Sequence, residues 1–137
     1  MYVIDTNIIS ELRRIKPHGA VLSWIESVHE ADLFMSAVTL AEIQAGIEIT
    51  REQDELRAAE LELWLNAVAE SYNILPMDTR TFRLWAKLMH KTSDTLYEDA
   101  MIAATAKIHN FSVVTRNVSD FVGFDVEIIN PFEYQGS

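Results

Sequence analysis

Short apolar runs alternate along this chain with longer stretches whose apolar residues recur at helical spacing, a pattern that predicts strands wound with helices. Tyr2-Val3-Ile4 opens the chain as a buried strand, and Ile8 to Ile15 reads as a short helix halted before Pro17. Val21, Leu22, Trp24, Ile25 and Val28 give residues 19 to 30 a helical period. Leu33-Phe34-Met35 is a short strand, Thr39 to Ile49 a helix, and Arg51 to Tyr72 a longer helix. Apolar residues surround most of that longer helix (Leu56, Ala59, Leu61, Leu63, Trp64, Leu65, Val68), more than one internal contact needs, which predicts a homodimer. Ile74 to Met77 is expected as an edge strand, because Pro76 lacks a ladder donor. Thr79 to Lys91 follows as a helix with Phe82, Trp85, Leu88 and Met89 inward. Thr95 to His109 is the most apolar helix, small on many sides through Ala100 to Ala106, as for a helix pressed against a sheet. Ser112 to Thr115 and Val126 to Ile129 complete the strands. No repeat or linker interrupts the series, so residues 1–137 are expected to form one domain.

Composition fits that picture and narrows the classes. A hydrophobic share of 49% with 23% charged residues is that of a folded globular chain and excludes extensive disorder. No apolar run approaches the roughly 20 residues that span a bilayer, and no basic segment precedes the first apolar residues as in a signal peptide. With no cysteine there is neither a disulfide framework nor a thiolate metal site, which suits a cytoplasmic setting without a membrane partner. The net charge of −10 argues against a nucleic-acid partner unless cations offset the carboxylates or the eleven basic residues cluster. They group partly, as Arg13, Arg14 and Lys16 and as Arg80, Arg83, Lys87 and Lys91, although such a run is ordinarily a solvated helix face.

Candidate chemistry lies where strands end. Asp5-Thr6-Asn7 follows the first strand, and all three residue types also make good helix N-caps. Thr39 to Glu42 and Thr95 to Glu98 both have capping-box spacing, with Asp99 in the first turn that follows, where the helix dipole favours a negative charge. Thr115 to Asp120 reads equally as a turn rich in Asn and Asp. Yet Asp5, Glu42, Asp99 and the Asn117/Asp120 pair all sit at strand-to-helix junctions or just after a strand. Such junctions share one rim of a parallel sheet, where ligands bind. Carboxylates brought together there would repel one another, and a hard cation relieves the repulsion. Magnesium takes oxygen ligands and keeps several waters, whereas His18, His29, His90 and His109 lack the spacing of a zinc site.

Four segments carry a resemblance to a known family. Tyr2 to Asn7, Ser36 to Gly46, Asp99 to Ala106 and Val114 to Phe121 resemble, in order, the four motifs of PIN-domain ribonucleases, in particular the VapC-type toxins of toxin–antitoxin pairs. The resemblance implies an α/β fold of three layers, α/β/α, with a central, mainly parallel sheet. It implies a magnesium- or manganese-dependent endoribonuclease acting on tRNA, rRNA or mRNA and neutralised by a cognate antitoxin. Asp5, Glu42 and Asp99 would be the metal ligands and Thr6 would orient the site by hydrogen bonding. Many relatives carry an aspartate where this chain has Asn117, so Asn117 is assigned a supporting contact and Asp120 a water-mediated one, leaving the number of metals open. Arg116 is assigned either to substrate phosphate or to a neighbouring acid, and Arg13 and Arg14 to the RNA backbone. The alternative reading is a PIN-fold module that binds RNA or antitoxin without turnover.

Overall fold

Five short strands, β1 (Tyr2–Ile4), β2 (Leu33–Ser36), β3 (Asn73–Leu75), β4 (Ser112–Val114) and β5 (Ile128–Ile129), form one sheet in the computed structural model, which describes residues 1–136. The order is β3-β2-β1-β4-β5 and every neighbouring pair is parallel. Seven helices connect and cover them: α1 (Thr6–Leu12), α2 (Gly19–Ser27), α3 (Ala37–Arg51), α4 (Glu55–Ser71), α5 (Thr79–Met89), α6 (Tyr97–His109) and α7 (Val118–Phe121).

The two-residue period of a strand sorts its side chains between two cores. Ile4 and Val114 face one layer with Leu33 and Met35, packed against Ile8, Ile9, Val21, Trp24 and Val68 from α1, α2 and α4. Val3 and Val113 face the opposite layer, against Ala100, Ile102, Ala103 and Ala106 of α6 and Phe121 of α7. The expected three-layer α/β/α architecture is therefore present. The alanines of α6 are wholly buried, so their small side chains bring the helix close to the sheet. Ile47, Ala58 and Leu65 seal α3 against α4. At the end of α3, Arg51 reaches Glu48, Glu55 and Glu62 at 2.9–3.0 Å, pinning the start and middle of α4.

Several expectations from sequence are corrected. The long helix begins at Glu55 rather than Arg51, because α3 runs through Arg51 and Asp54 caps a new helix by accepting from the Arg57 N–H. The first helix stops at Leu12, and the last strand keeps only Ile128 and Ile129 of its expected four residues. Phe82, expected inward, is 44% exposed. Leu56 and Leu63 are 79% and 72% exposed, so only part of the apolar circumference of α4 is used internally. The Asn117 to Asp120 turn leads into the short helix α7. Pro76 follows β3, and that strand is at the sheet edge as expected.

Candidate active site

Chain winding reverses at the centre of the sheet. β1 leads outward to β2 and β3, then the chain returns to place β4 on the other side of β1. The crevice at such a switch point, beyond the carboxyl ends of the strands, is where open α/β sheets bind ligands. Asp5 follows β1 there, continuing the ladder through its N–H to the Val114 carbonyl at 2.9 Å, and Thr115 follows β4.

The Asp5 carboxylate is held from three directions. Its Oδ1 accepts the Thr6 N–H at 2.8 Å, capping α1, while Oδ2 accepts the Thr115 hydroxyl at 2.7 Å and the Asn7 amide at 3.0 Å. The fully buried Thr115 Oγ1 in turn accepts from the Asn117 N–H at 3.0 Å and from Asn7 Nδ2 at 3.2 Å, which fills its capacity of one donated and two accepted bonds. Capping and site placement are thus one arrangement at Asp5 rather than competing readings.

Glu42 behaves otherwise. Ser36, not Thr39, caps α3, so Glu42 stands one turn further in than a capping box requires. Its Oε1 accepts the Thr6 hydroxyl at 2.9 Å, and that hydroxyl lies 3.3 Å from the buried Thr39 hydroxyl. The second expected capping box is absent too: a 3-10 turn over Asp94–Leu96 precedes α6, and Ser93 supplies its cap. Glu98 is therefore free to act electrostatically.

Asp5, Glu42, Asp99 and Asn117 line one open pocket of ≈ 470 Å³ together with Thr6, Asn7, Ser10, Glu11 and Arg14. Their charges oppose one another. Burial, then the charges of Asp5, Asp120, Glu42 and Glu98, push the Asp99 carboxyl up to about 7. Burial raises Glu42, against the Thr6 hydroxyl and with help from Asp5 and Glu98. Burial also raises Asp5, opposed by its Thr115, Thr6 and Asn7 donors and reinforced by Asp120. Thr6→Val, which removes the donor to Glu42, is accordingly expected to raise the Glu42 titration midpoint further. Carboxyl carbon NMR checks this, and an unmoved midpoint would remove the orienting role of Thr6.

The other expected residues fall as follows. Asp120 is half-buried within electrostatic reach of Asp5 and Asp99 but does not line the pocket. Among the described residues Arg116 pairs with no acid: its guanidinium lies 4.5 Å over the Phe132 ring, and its N–H donates to Asn7 Oδ1 at 3.2 Å. Arg14 lines the pocket, whereas Arg13 lies over the Trp64 ring at 5.5 Å. Sequence reasoning missed Thr115, Asn7, Glu98 and Glu11 as parts of the site. Glu11 is buried, accepts the His18 N–H at 3.0 Å and pairs with Arg14 at 3.3 Å. For Thr115 the signal was a hydroxyl closing an otherwise apolar strand.

Among the described residues, no three His, Asp or Glu side chains come together closely enough to hold a metal ion between them. An all-oxygen set spaced around an open pocket suits instead an ion that retains part of its water shell, as magnesium does. The mutual repulsion at Asp99 is the cost that such a charge would relieve.

The chain is similar to known proteins over most of its length. The family model described as PIN domain matches residues 2–122. The chain is similar to the VapC ribonuclease Y4jK of Sinorhizobium fredii, 38% identical over 144 aligned residues that cover 97% of this chain and 99% of that protein. It is 32% identical to the toxin FitB of Neisseria gonorrhoeae over 143 residues, covering 96% and 99% of the two chains. Among solved structures, VapBC-5 of Mycobacterium tuberculosis, described as a member of the VapBC family of toxin–antitoxin systems, superposes with a TM-score of 0.64 at 27% identity over 93% of this chain and 96% of that one.

Proposed function

The chain belongs to the PIN-domain family, and on that premise we propose that it is a metal-dependent endoribonuclease, the toxin of a VapBC-type toxin–antitoxin pair. The observation that carries this reading is the meeting of Asp5, Glu42 and Asp99, from three distant segments, around one pocket at the switch point of the sheet.

Asp5, Glu42 and Asp99 would hold a magnesium or manganese ion. When bound, that ion supplies positive charge against the phosphodiester oxygens and acidifies a water. The chain's own residues prepare the site. Thr115, Asn7 and the Thr6 N–H fix the Asp5 carboxylate, and the Thr6 hydroxyl aims Glu42, so that little reorganisation is left for the reaction. Asn117 offers an uncharged amide at the rim, and Asp120 adds negative charge from outside the pocket. Arg14, shared between this pocket and a cationic surface formed with Arg13, Lys16 and Arg57, is placed to take an RNA phosphate. Among the described residues no helix is long and apolar enough to cross a membrane, and the proposal places the enzyme in the cytoplasm.

The similar VapBC-5 protein is described as a member of a toxin–antitoxin family, and the proposal includes a cognate antitoxin that holds this enzyme inactive. Leu56 and Leu63, seven residues apart on α4 and largely exposed, mark the surface where a second copy would bury area in a homodimer. Purified protein is expected to cut cellular RNA with added magnesium and to stop with a chelator. It is also expected to be silenced by co-purified antitoxin and to sediment as a dimer that Leu63→Glu dissociates. No cleavage under any divalent-ion condition would overturn the enzymatic reading, and a monomeric wild type the dimer.

A further inference from the structure

The cations of this acidic chain are unevenly committed. Of its eleven basic residues, Arg14, Arg51, Arg57 and Lys107 pair with carboxylates, and Arg13 and Arg116 lie over aromatic rings. Of the five left, Arg80, Arg83, Lys87 and Lys91 all lie on α5 or in the turn behind it, and no Asp or Glu occurs between Asp78 and Asp94. Among the described residues none of these four stands within salt-bridge distance of an acid.

Helical spacing puts Arg80, Arg83 and Lys87 on one flank of α5, where they line an open groove with Thr79, Leu84 and Ile108. Phe82 falls on the other flank, with Ala86 between. Phe82 and Tyr97 are each 44% exposed and flank Trp85, edge-on at 6.1 Å and tilted at 5.5 Å respectively. The exposed side of α5 thus carries these cations along one flank and the Phe82 ring along the other, with Tyr97 of α6 next to Trp85. Its direction matters as well. The Arg80 end lies by Ile108, near the far end of α6, while the Trp85 indole donates to the Tyr97 carbonyl at 3.1 Å. α5 therefore runs antiparallel to α6, and its Lys91 end comes to the end of α6 that carries Asp99.

From this juxtaposition, and resting on the ribonuclease reading above, we propose that α5 is a track for single-stranded RNA leading to the active site. Phosphates lie over Arg80, Arg83 and Lys87, and bases turn toward Phe82 and Tyr97. From Arg80 to Lys91 the track is about 16 Å long at helical rise, a short run of nucleotides. Cationic grooves with aromatic stacking platforms bind single strands in this way, with little preference for sequence. RNA backbone is the occupant that charge selects, because three cations without an acid at salt-bridge distance among the described residues line the groove of a chain whose net charge is −10.

The test compares Asp99→Asn, which is expected to hold RNA without cutting it, with the same protein carrying Arg80→Gln, Arg83→Gln and Lys87→Gln. The probe is a fluorescent oligouridylate read by anisotropy across a salt series, with thermal melting to check folding. The three changes are expected to weaken binding at least about tenfold and to lower the slope of log affinity against log salt by about 2, at about 0.7 per lost phosphate contact on a single strand. In the Asp99-intact enzyme the same loss should fall on KM more than on kcat, and Phe82→Ala should weaken RNA-induced quenching of tryptophan fluorescence. Unchanged affinity and slope, in a protein whose wild type does cleave RNA, would overturn the track alone. A wild type that neither binds nor cuts RNA would instead fail at the ribonuclease reading. If the three changes dissociate a dimer or abolish antitoxin binding while the RNA slope stays fixed, the face belongs to a protein partner and the proposal is wrong.

Discussion

Asp99→Asn is expected to reduce RNA cleavage by on the order of a thousandfold or more, the size of losing several kcal/mol of charge stabilisation at the reacting phosphate. The same substitution is expected to stabilise the metal-free protein at pH 8. Asp99 sits among the charges of Asp5, Asp120, Glu42 and Glu98, and removing its own charge relieves that repulsion. A variant that is both inactive and firmer is the mark of an acid kept for function at the expense of stability. Asp5→Asn is a less clean probe. An amide there would place donors against Asn7 Nδ2 and force the saturated Thr115 hydroxyl to turn, so lost activity would be mixed with lost stability. Single-turnover cleavage and urea melts of Asp99→Asn separate the two effects. Wild-type rates in that variant would remove Asp99 from the site, and a lower urea midpoint at pH 8 would remove the repulsion.

The second large effect is a dependence of stability on pH that magnesium reverses. Asp5, Glu42 and Asp99 all hold their protons more tightly when folded than when unfolded. Their contribution is therefore fully present below the unfolded carboxyl range and is lost as pH rises through the folded values, which for Asp99 is about 7. Melting temperature of the metal-free protein should fall between pH 5 and pH 8. For a half-exposed group, solvent screening reduces the Asp99 share to about 1–2 kcal/mol, a shift of several degrees. Asp78 is lowered by the Thr81 hydroxyl and N–H and Glu48 by Arg51, so their contributions are lost only at acid pH, outside this window. Saturating magnesium at pH 8 should restore the lost degrees, because an ion bound by the folded chain alone stabilises it. A melting temperature flat across that range and indifferent to magnesium would contradict both the repulsion and the ion.

The alternation of apolar runs with amphipathic stretches was enough to expose the central strands and most helices, because buried parallel strands read as short continuous runs. Helix ends were harder to read. Thr39 and Thr95 have the spacing of capping boxes, but Ser36 and Ser93 lie earlier and cap first, leaving Glu42 and Glu98 to the site. Local spacing does not reveal which of two adjacent hydroxyls the backbone will meet. Asp5 was legible because it directly follows β1. Glu42 lies in the second turn of α3 and Asp99 at the start of a helix that follows α5 rather than a strand, so the motif resemblance, not the strand-end pattern, pointed to those two. Thr115 was not legible, since its importance lies in a bond to Asp5 across 110 positions, which no window of sequence displays. Phe82 misled because helical period marks an apolar ring without distinguishing core from exposed surface, and Phe82 lies on the rim of the α5 face.

That long-range bond also governs timing. The Asp5 carboxylate is made early in synthesis but takes its orientation from Thr115, and β1 lies between β2 and β4 rather than at an edge. A chain still emerging from the ribosome must deliver its fourth strand before the first can be flanked on both sides. Until then it carries the acids of the nuclease without the nuclease. On the nuclease reading, cleavage is therefore expected only once β4 has been made and paired, late in translation.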